Sequence, residues 1–231
     1  MSSTAPRTRR SRRAWTPMSA EERHRRLIEA AIRVIARDGL PAASTRAVAA
    51  EAGMNQAMLH YTYTGKDELL IAVLEAIHAD VRRVIGAAVQ GAATLADAAR
   101  QVSRAYWQHV VADPALQKVH YELTLYALTA SGQTGLARRQ YEGYIEMLAQ
   151  AFASVAPTWP QDELRRLAGA ALAAMDGLIL QFLATGDTAA CEARLQWIDA
   201  AIDAAARRAP ATPAAAGRGA QQRAARPPRS R

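Results

Sequence analysis

The stretch from Ser44 to Lys66, STRAVAAEAGMNQAMLHYTYTGK, constrains this chain more than any other. It predicts two short helices joined by a tight turn. Ser44 can cap the first, its hydroxyl accepting from a backbone N–H that the helix leaves unpaired. Val48, Ala49 and Ala52 then share one small apolar face. Gly53 ends that helix where the chain must pass through positive φ, which glycine takes without steric cost. Asn55 restarts the helix as a second N-cap, and Leu59 returns to the core. Ala49 must be small, because the second helix crosses there at a steep angle. These features describe a helix-turn-helix, whose second helix enters the major groove of DNA. The same spacing also occurs in plain helical bundles, so the stretch alone leaves both readings open.

The flanks narrow the choice. Ser19-Ala-Glu-Glu22 has the form of a capping box, with Glu22 reaching back to the Ser19 N–H. The helix it opens carries Leu27, Ala31, Val34 and Ile35 on one face, Arg23, Arg25 and Arg26 on another, and stops at Gly39. From Leu27 to Leu70 the chain resembles the amino-terminal DNA-binding domain of TetR-family transcriptional regulators. The residues that carry the likeness are Ala30-Ala31, Gly39, Val48-Ala49, Ala52-Gly53-Met54, Leu59, the aromatic Tyr63, Lys66 and Leu69-Leu70. The resemblance implies base contacts from the first exposed positions of the second helix, here Gln56, Ala57, Met58 and Tyr61. Glutamine can bond adenine bidentately, and Ala or Met can pack on a thymine methyl. Thr45, Arg46, His60 and Lys66 are placed to hold phosphates, and the caps Ser44 and Asn55 complete the candidate interface. His60 departs from the family, where a tyrosine is usual.

Composition sets the class. The chain has 231 residues, half of them apolar, with two Phe and abundant Ala, which favours helix throughout. The single cysteine, Cys191, forbids an internal disulfide and fits a reducing, cytoplasmic setting. The net charge of +8 is outweighed by twelve arginines in two tails, five within residues 1–17 and seven within 207–231, so the body between them carries −4. Residues 1–17 are therefore expected to be a disordered basic arm following the DNA backbone, and 207–231 a disordered basic tail.

Beyond Lys66 the pattern predicts six more helices. The first carries Leu70, Val73, Ile77, Val81 and Val84 to about Gly91, as a rod joining the two domains. The next follows the cap Thr94-x-x-Asp97 and stops before Pro114. Asp113 caps another, with Pro114 at its first position, that runs to Ser131-Gly132. Leu136 to Val155 forms a fourth, ended by Pro157 and Pro160. Thr158-Trp-Pro-Gln161 opens a helix that runs to about Thr185, and its middle is apolar on nearly every side and must be covered all round. Its apolar core, Ala168 to Ala184, carries Asp176 and Gln181 and is short for a membrane span, so no membrane is expected. The last helix carries Cys191, Leu195, Ile198 and Ile202. The expected fold is all-α with about nine helices: a helix-turn-helix domain over 18–66 and a six-helix ligand-binding and dimerisation domain over 67–206. Asp176-Gly177-Leu178 extends the resemblance into the eighth helix.

Tyr106, Trp107, His109, His120, Tyr126, Tyr144, Met147, Met175 and Asp176 are the candidate lining of an effector pocket between helices, set against the alternative that each is core. Asp176 stands out, since a carboxylate in an apolar run needs a partner. The resemblance implies a homodimer through the last two helices, with Leu172, Ile179, Phe182, Leu195, Ile198 and Ile202 as the candidate interface. His109, His120 and Glu122 match no metal-ligand spacing, Cys191 has no histidine near it, and no Gly-rich phosphate loop occurs, so neither cofactor, metal nor enzymatic activity is expected. The resulting expectation is a regulator, and more specifically a repressor, binding a palindromic operator on double-stranded DNA and released by a small, largely apolar effector. An architectural DNA-binding protein is the alternative, and an all-α enzyme a distant third.

Overall fold

The structure is a computed structural model, and it describes residues 18–129 and 135–207. The basic arm over 1–17, the Ser131-Gly132 helix stop and all but Arg207 of the basic tail lie outside the described residues. Among these, nine α-helices occur and no strand: α1 Ala20–Asp38, α2 Thr45–Glu51, α3 Gln56–Thr62, α4 Lys66–Ala88, α5 Leu95–Ala112, α6 Pro114–Thr129, α7 Leu136–Val155, α8 Gln161–Thr185 and α9 Thr188–Ala206, with a 3-10 turn at Leu40–Ala42. The chain divides into two compact units, the first ending at Val73 and the second beginning at Leu74. The division falls inside α4 and not at its start, because Leu69, Leu70 and Val73 are already buried.

In the first unit, the hydroxyl of Ser19 accepts from the Glu22 N–H at 3.1 Å, as the capping box requires. The return bond is replaced. The Glu22 carboxylate is drawn to Arg25 and Arg26, each at 2.6 Å, because a charged guanidinium is a stronger donor than a backbone amide. α1 buries Leu27, Ile28, Ala30, Ala31, Val34 and Ile35 against α2 and α3. Between α2 and α3, Met54 N donates to Ala49 O at 2.8 Å and Gly53 N to Ala50 O at 3.0 Å. This paired 6→1 and 5→2 arrangement needs its penultimate residue in the left-handed region, and Gly53 has φ +68°.

In the second unit, caps again set the starts. Thr94 accepts from Asp97 N at 3.1 Å, Asp113 from Leu116 N at 2.9 Å and Asp187 from Ala190 N at 2.9 Å. α8 packs against α7, α9 and α5. Trp107, Val110, Met175, Leu178, Ile179, Phe182, Cys191 and Leu195 form the core there, with Trp107 edge-on to Phe182. At the rim of the same contact, Arg104 pairs with Asp199 at 3.1 Å and Arg100 with Asp203 at 3.6 Å. α8 is long and apolar enough to cross a membrane by composition, yet it supplies core residues along its length.

The turn at Gly53 can be tested without steric complication, since a Cβ there would meet nothing within 4 Å. Gly53→Ala therefore costs conformational energy alone, about 1 kcal/mol, and the β-branched Gly53→Val costs more. Urea denaturation of the two variants against the parent chain measures this ordering. Equal stability of all three would contradict it.

Candidate nucleic-acid interface and internal cavity

α3 is a helix of seven residues anchored from beneath. Asn55 Oδ1 accepts from Met58 N at 2.9 Å, and Ser44 Oγ accepts from Ala47 N at 3.1 Å, so both caps act on their own helices. Leu59 is buried, while Gln56, Ala57, His60 and Tyr61 face solvent and Met58 is half-buried. Gln56 Nε2 donates to Thr45 Oγ1 at 3.2 Å and lies 3.3 Å from His60 Nε2, which links α2 to both turns of α3. Tyr61 is 81 % exposed and carries the Arg23 guanidinium over its ring at 5.2 Å. Arg23 Nε also donates to Thr62 Oγ1 at 3.0 Å, so one arginine of α1 holds the far end of α3. Sequence reasoning left Arg23 as a solvent-facing charge; no spacing rule relates it to α3. Tyr63 OH lies 2.8 Å from His24 Nδ1 and braces the same end. Arg46 is exposed at the start of α2. Lys66 differs from expectation. Its ammonium donates to Leu40 O at 3.0 Å, a carbonyl that also accepts from Ala43 N at 3.2 Å, and so ties the first turn of α4 to the 3-10 turn.

The second unit contains a narrow cavity. α4 contributes Val81 and Ile85, α5 Ala99, Val102, Ser103 and Tyr106, and α6 His120. α7 adds Tyr141, Tyr144, Leu148 and Phe152, and α8 adds Ala171, Leu172, Met175 and Asp176. The space among these side chains, its open mouth included, is about 600 Å³. It is a slot, not an open bowl.

Two polar clusters face it. On α6, His120 is buried with Tyr144 OH at 3.0 Å and Gln140 Nε2 at 2.8 Å from its Nε2, and Gln117 Nε2 at 3.2 Å from its Nδ1. Gln140 Nε2 also donates to Thr124 Oγ1 at 2.7 Å. Burial, and secondarily the neighbouring His78, pushes the His120 imidazole down to about 4. His78 packs edge-on against Tyr144 at 4.4 Å and is itself lowered, by burial and then by Arg82. On α8, Asp176 Oδ1 accepts from Tyr121 OH at 3.2 Å and the carboxylate also accepts from Tyr141. Burial raises the Asp176 carboxyl above its ordinary range, and the two tyrosine donors offset part of that rise. Tyr106 and Tyr141 are each pushed up to about 12, chiefly by burial and next by the nearby Asp176 carboxylate.

Of the nine pocket candidates, Tyr106, His120, Tyr144, Met175 and Asp176 line the slot. Trp107 is buried instead in the core between α5, α8 and α9, where its one-residue offset from Tyr106 turns it about 100° away. His109 sits 3.2 Å from Asp80, Met147 faces an open groove between α4 and α7, and Tyr126 is half-buried on α6 outside the lining. Tyr141 completes the slot. Of the six interface candidates, four are buried in their own subunit and Leu172 and Ile198 are half-buried. Leu172 lines the slot, Ile179, Phe182, Leu195 and Ile202 are buried within the subunit, and Ile198 packs on the same core. The apolar stripe of a helix turns first to its own chain, so its periodicity marks the inner face. The outward face carries Leu180, 52 % exposed, and Trp197, 80 % exposed, among alanines. No group of three metal-ligating side chains occurs among the described residues.

A short exposed helix on a fixed turn, together with a helical unit enclosing an apolar slot with few polar groups, defines a ligand-responsive DNA-binding regulator. The chain belongs to the TetR family of transcriptional regulators. Residues 27–73 match the family described as bacterial regulatory proteins, tetR family. It is 32 % identical over 168 residues to the HTH-type nicotine-responsive transcriptional repressor HdnoR of Paenarthrobacter nicotinovorans, covering 72 % of this chain and 87 % of that protein. The multidrug binding protein EbrR complexed with imidazole superposes with a TM-score of 0.63 at 27 % identity, covering 83 % of this chain and 98 % of that one. The ethidium complex of EbrR gives 0.60 at 27 % identity, covering 80 % and 98 %.

The buried His120 gives the fold a pH signature. Its folded value of about 4 lies below the ordinary 6.5, so between these the unfolded chain binds more protons than the folded one. Stability is complete above pH 6.5 and falls as pH drops towards 4, by on the order of 3 kcal/mol from this residue. Urea midpoints at pH 7.5, 6 and 5 should fall in that order, and His120→Gln should flatten the slope whatever its effect at pH 7.5.

Proposed function

We propose that this regulator is a cytoplasmic repressor that binds a palindromic operator as a homodimer and is released when a small, largely apolar molecule enters the slot. The observation that carries this is α4. Its Val81 and Ile85 line the slot, while Leu69 and Leu70 of the same unbroken helix are buried in the unit that contains α3. A ligand that widens the slot displaces that helix. The displacement matters only to the extent that the ligand favours the displaced state, by about 1–3 kcal/mol for a typical coupling. The likeness to a nicotine-responsive repressor and to EbrR in complex with imidazole and ethidium supports the same reading. An operator with a large specificity ratio separates it from an architectural role, which predicts a flat preference across sequences.

In the proposed docking, Gln56, Ala57, Met58 and Tyr61 meet base edges, and Thr45, Arg46 and His60 meet phosphates. The two copies of α3 must then stand roughly 34–36 Å apart to enter successive major grooves. The outward face of α8 and α9, with Leu180 and Trp197, supplies the contact between copies. An apolar helix uncovered on one side is what a second subunit would cover.

DNA fragments from the region upstream of the chain's own coding sequence provide the first test, with binding followed by fluorescence anisotropy. Gln56→Ala should shift the preferred sequence, whereas Arg46→Ala should weaken all sequences alike and lower the salt slope by about one ion. An unaltered preference in Gln56→Ala at every base would show that α3 is docked wrongly. Separately, Trp197→Asp should yield monomers in sedimentation and cost most of the affinity for a two-fold site. A dimer that survives both Trp197→Asp and Leu180→Asp lies on another surface.

A further inference from the structure

We propose that the slot takes a basic amine, its protonated nitrogen set against Asp176 and its hydrocarbon body between the tyrosine rings. The assignment rests on the slot being the effector site and adds the charge of the molecule that fills it. Three observations carry it. First, Asp176 is a half-buried carboxylate whose partners are hydroxyls: Tyr121 OH at 3.2 Å and Tyr141. Tyrosine hydroxyls satisfy hydrogen bonds but do not neutralise a charge, so the site retains a place for a counter-ion.

Second, the lining carries neither Lys nor Arg. On the surrounding helices Arg83 is engaged by Asp80, Arg100 by Asp97 and Asp203, Arg104 by Asp199 and Arg165 by Glu146, while Arg82, whose charge reaches His78, lines the separate groove between α4 and α7. Burial lowers His120, the one histidine of the lining, to about 4, so it adds no charge that would repel a cationic guest; His78, packed behind Tyr144, is lowered as well. An anionic ligand would meet Asp176 with nothing to offset the repulsion.

Third, Tyr106, Tyr141 and Tyr144 line the same slot as the carboxylate. Aromatic faces attract an alkylated ammonium ion, the more so when it is out of water. Met175, beside Asp176 on α8, is unbranched and flexible enough to open a slot this thin around such a body.

Three probes of one length test the charge: 4-phenylbutylamine, 4-phenylbutanol and 4-phenylbutyrate, titrated calorimetrically into the full chain. The amine should bind about tenfold or more tightly than the alcohol, and the carboxylate most weakly. In Asp176→Asn, which can still accept from Tyr121, the ratio of amine to alcohol affinity should fall towards one. In Ala99→Leu, which narrows the slot, binding of the amine and alcohol should both weaken. An amine no tighter than the alcohol, or a preference that survives Asp176→Asn, overturns the amine assignment; where the alcohol still binds and Ala99→Leu weakens it, the slot remains the effector site. Binding of all three probes that is indifferent to Ala99→Leu, or binding by none, overturns the amine and the slot together.

Discussion

α8 is apolar on nearly all of its faces, and the second unit is arranged to cover them. One face, with Leu178, Ile179 and Phe182, closes against α5 and α9. Another, with Ala171, Leu172, Met175 and Asp176, is met by α7 only in part, and the shortfall is the slot. The third faces outward with Leu180. A single helix thus furnishes core, cavity wall and uncovered surface. Each of these needs a different density of contact: close packing for stability, a gap for a ligand, and a smooth face of small residues for another helix.

The first unit was legible because its rules are local. Ser19, Ser44, Asn55 and Gly53 each act within a few residues of themselves, and a cap or a left-handed turn leaves a mark in the sequence. The partnerships that brace α3 are not local. Arg23 lies 39 positions from Thr62, and Lys66 lies 26 from the carbonyl it caps. Both look like ordinary surface charges until the chain is folded.

In the second unit the sequence indicated where the helices start and stop, but not which face of each meets the slot. Tyr106 and Trp107 are adjacent and equally aromatic, and one lines the cavity while the other fills the core. Tyr144 and Met147 lie one turn apart on α7, and the second belongs to a separate open groove between α4 and α7. Rotation of a helix by a third of a turn decides these outcomes, and it is set by packing against several partners at once. The same limit explains the interface residues. Hydrophobic periodicity finds the face that a chain buries by itself, whereas the outward face of α8 and α9, with Leu180 and Trp197 among alanines, has a weaker pattern.

Under the proposed function, the thinness of the slot has a pharmacological consequence. A molecule slim enough to slide between Tyr106 and Tyr144 without parting the helices would bind both states of the protein alike. Such a ligand shifts no equilibrium, however tightly it is held. It would act as an antagonist, occupying the site and silencing the response to bulkier inducers while leaving the DNA-bound population untouched. Girth, more than affinity, would then separate an inducer from a blocker.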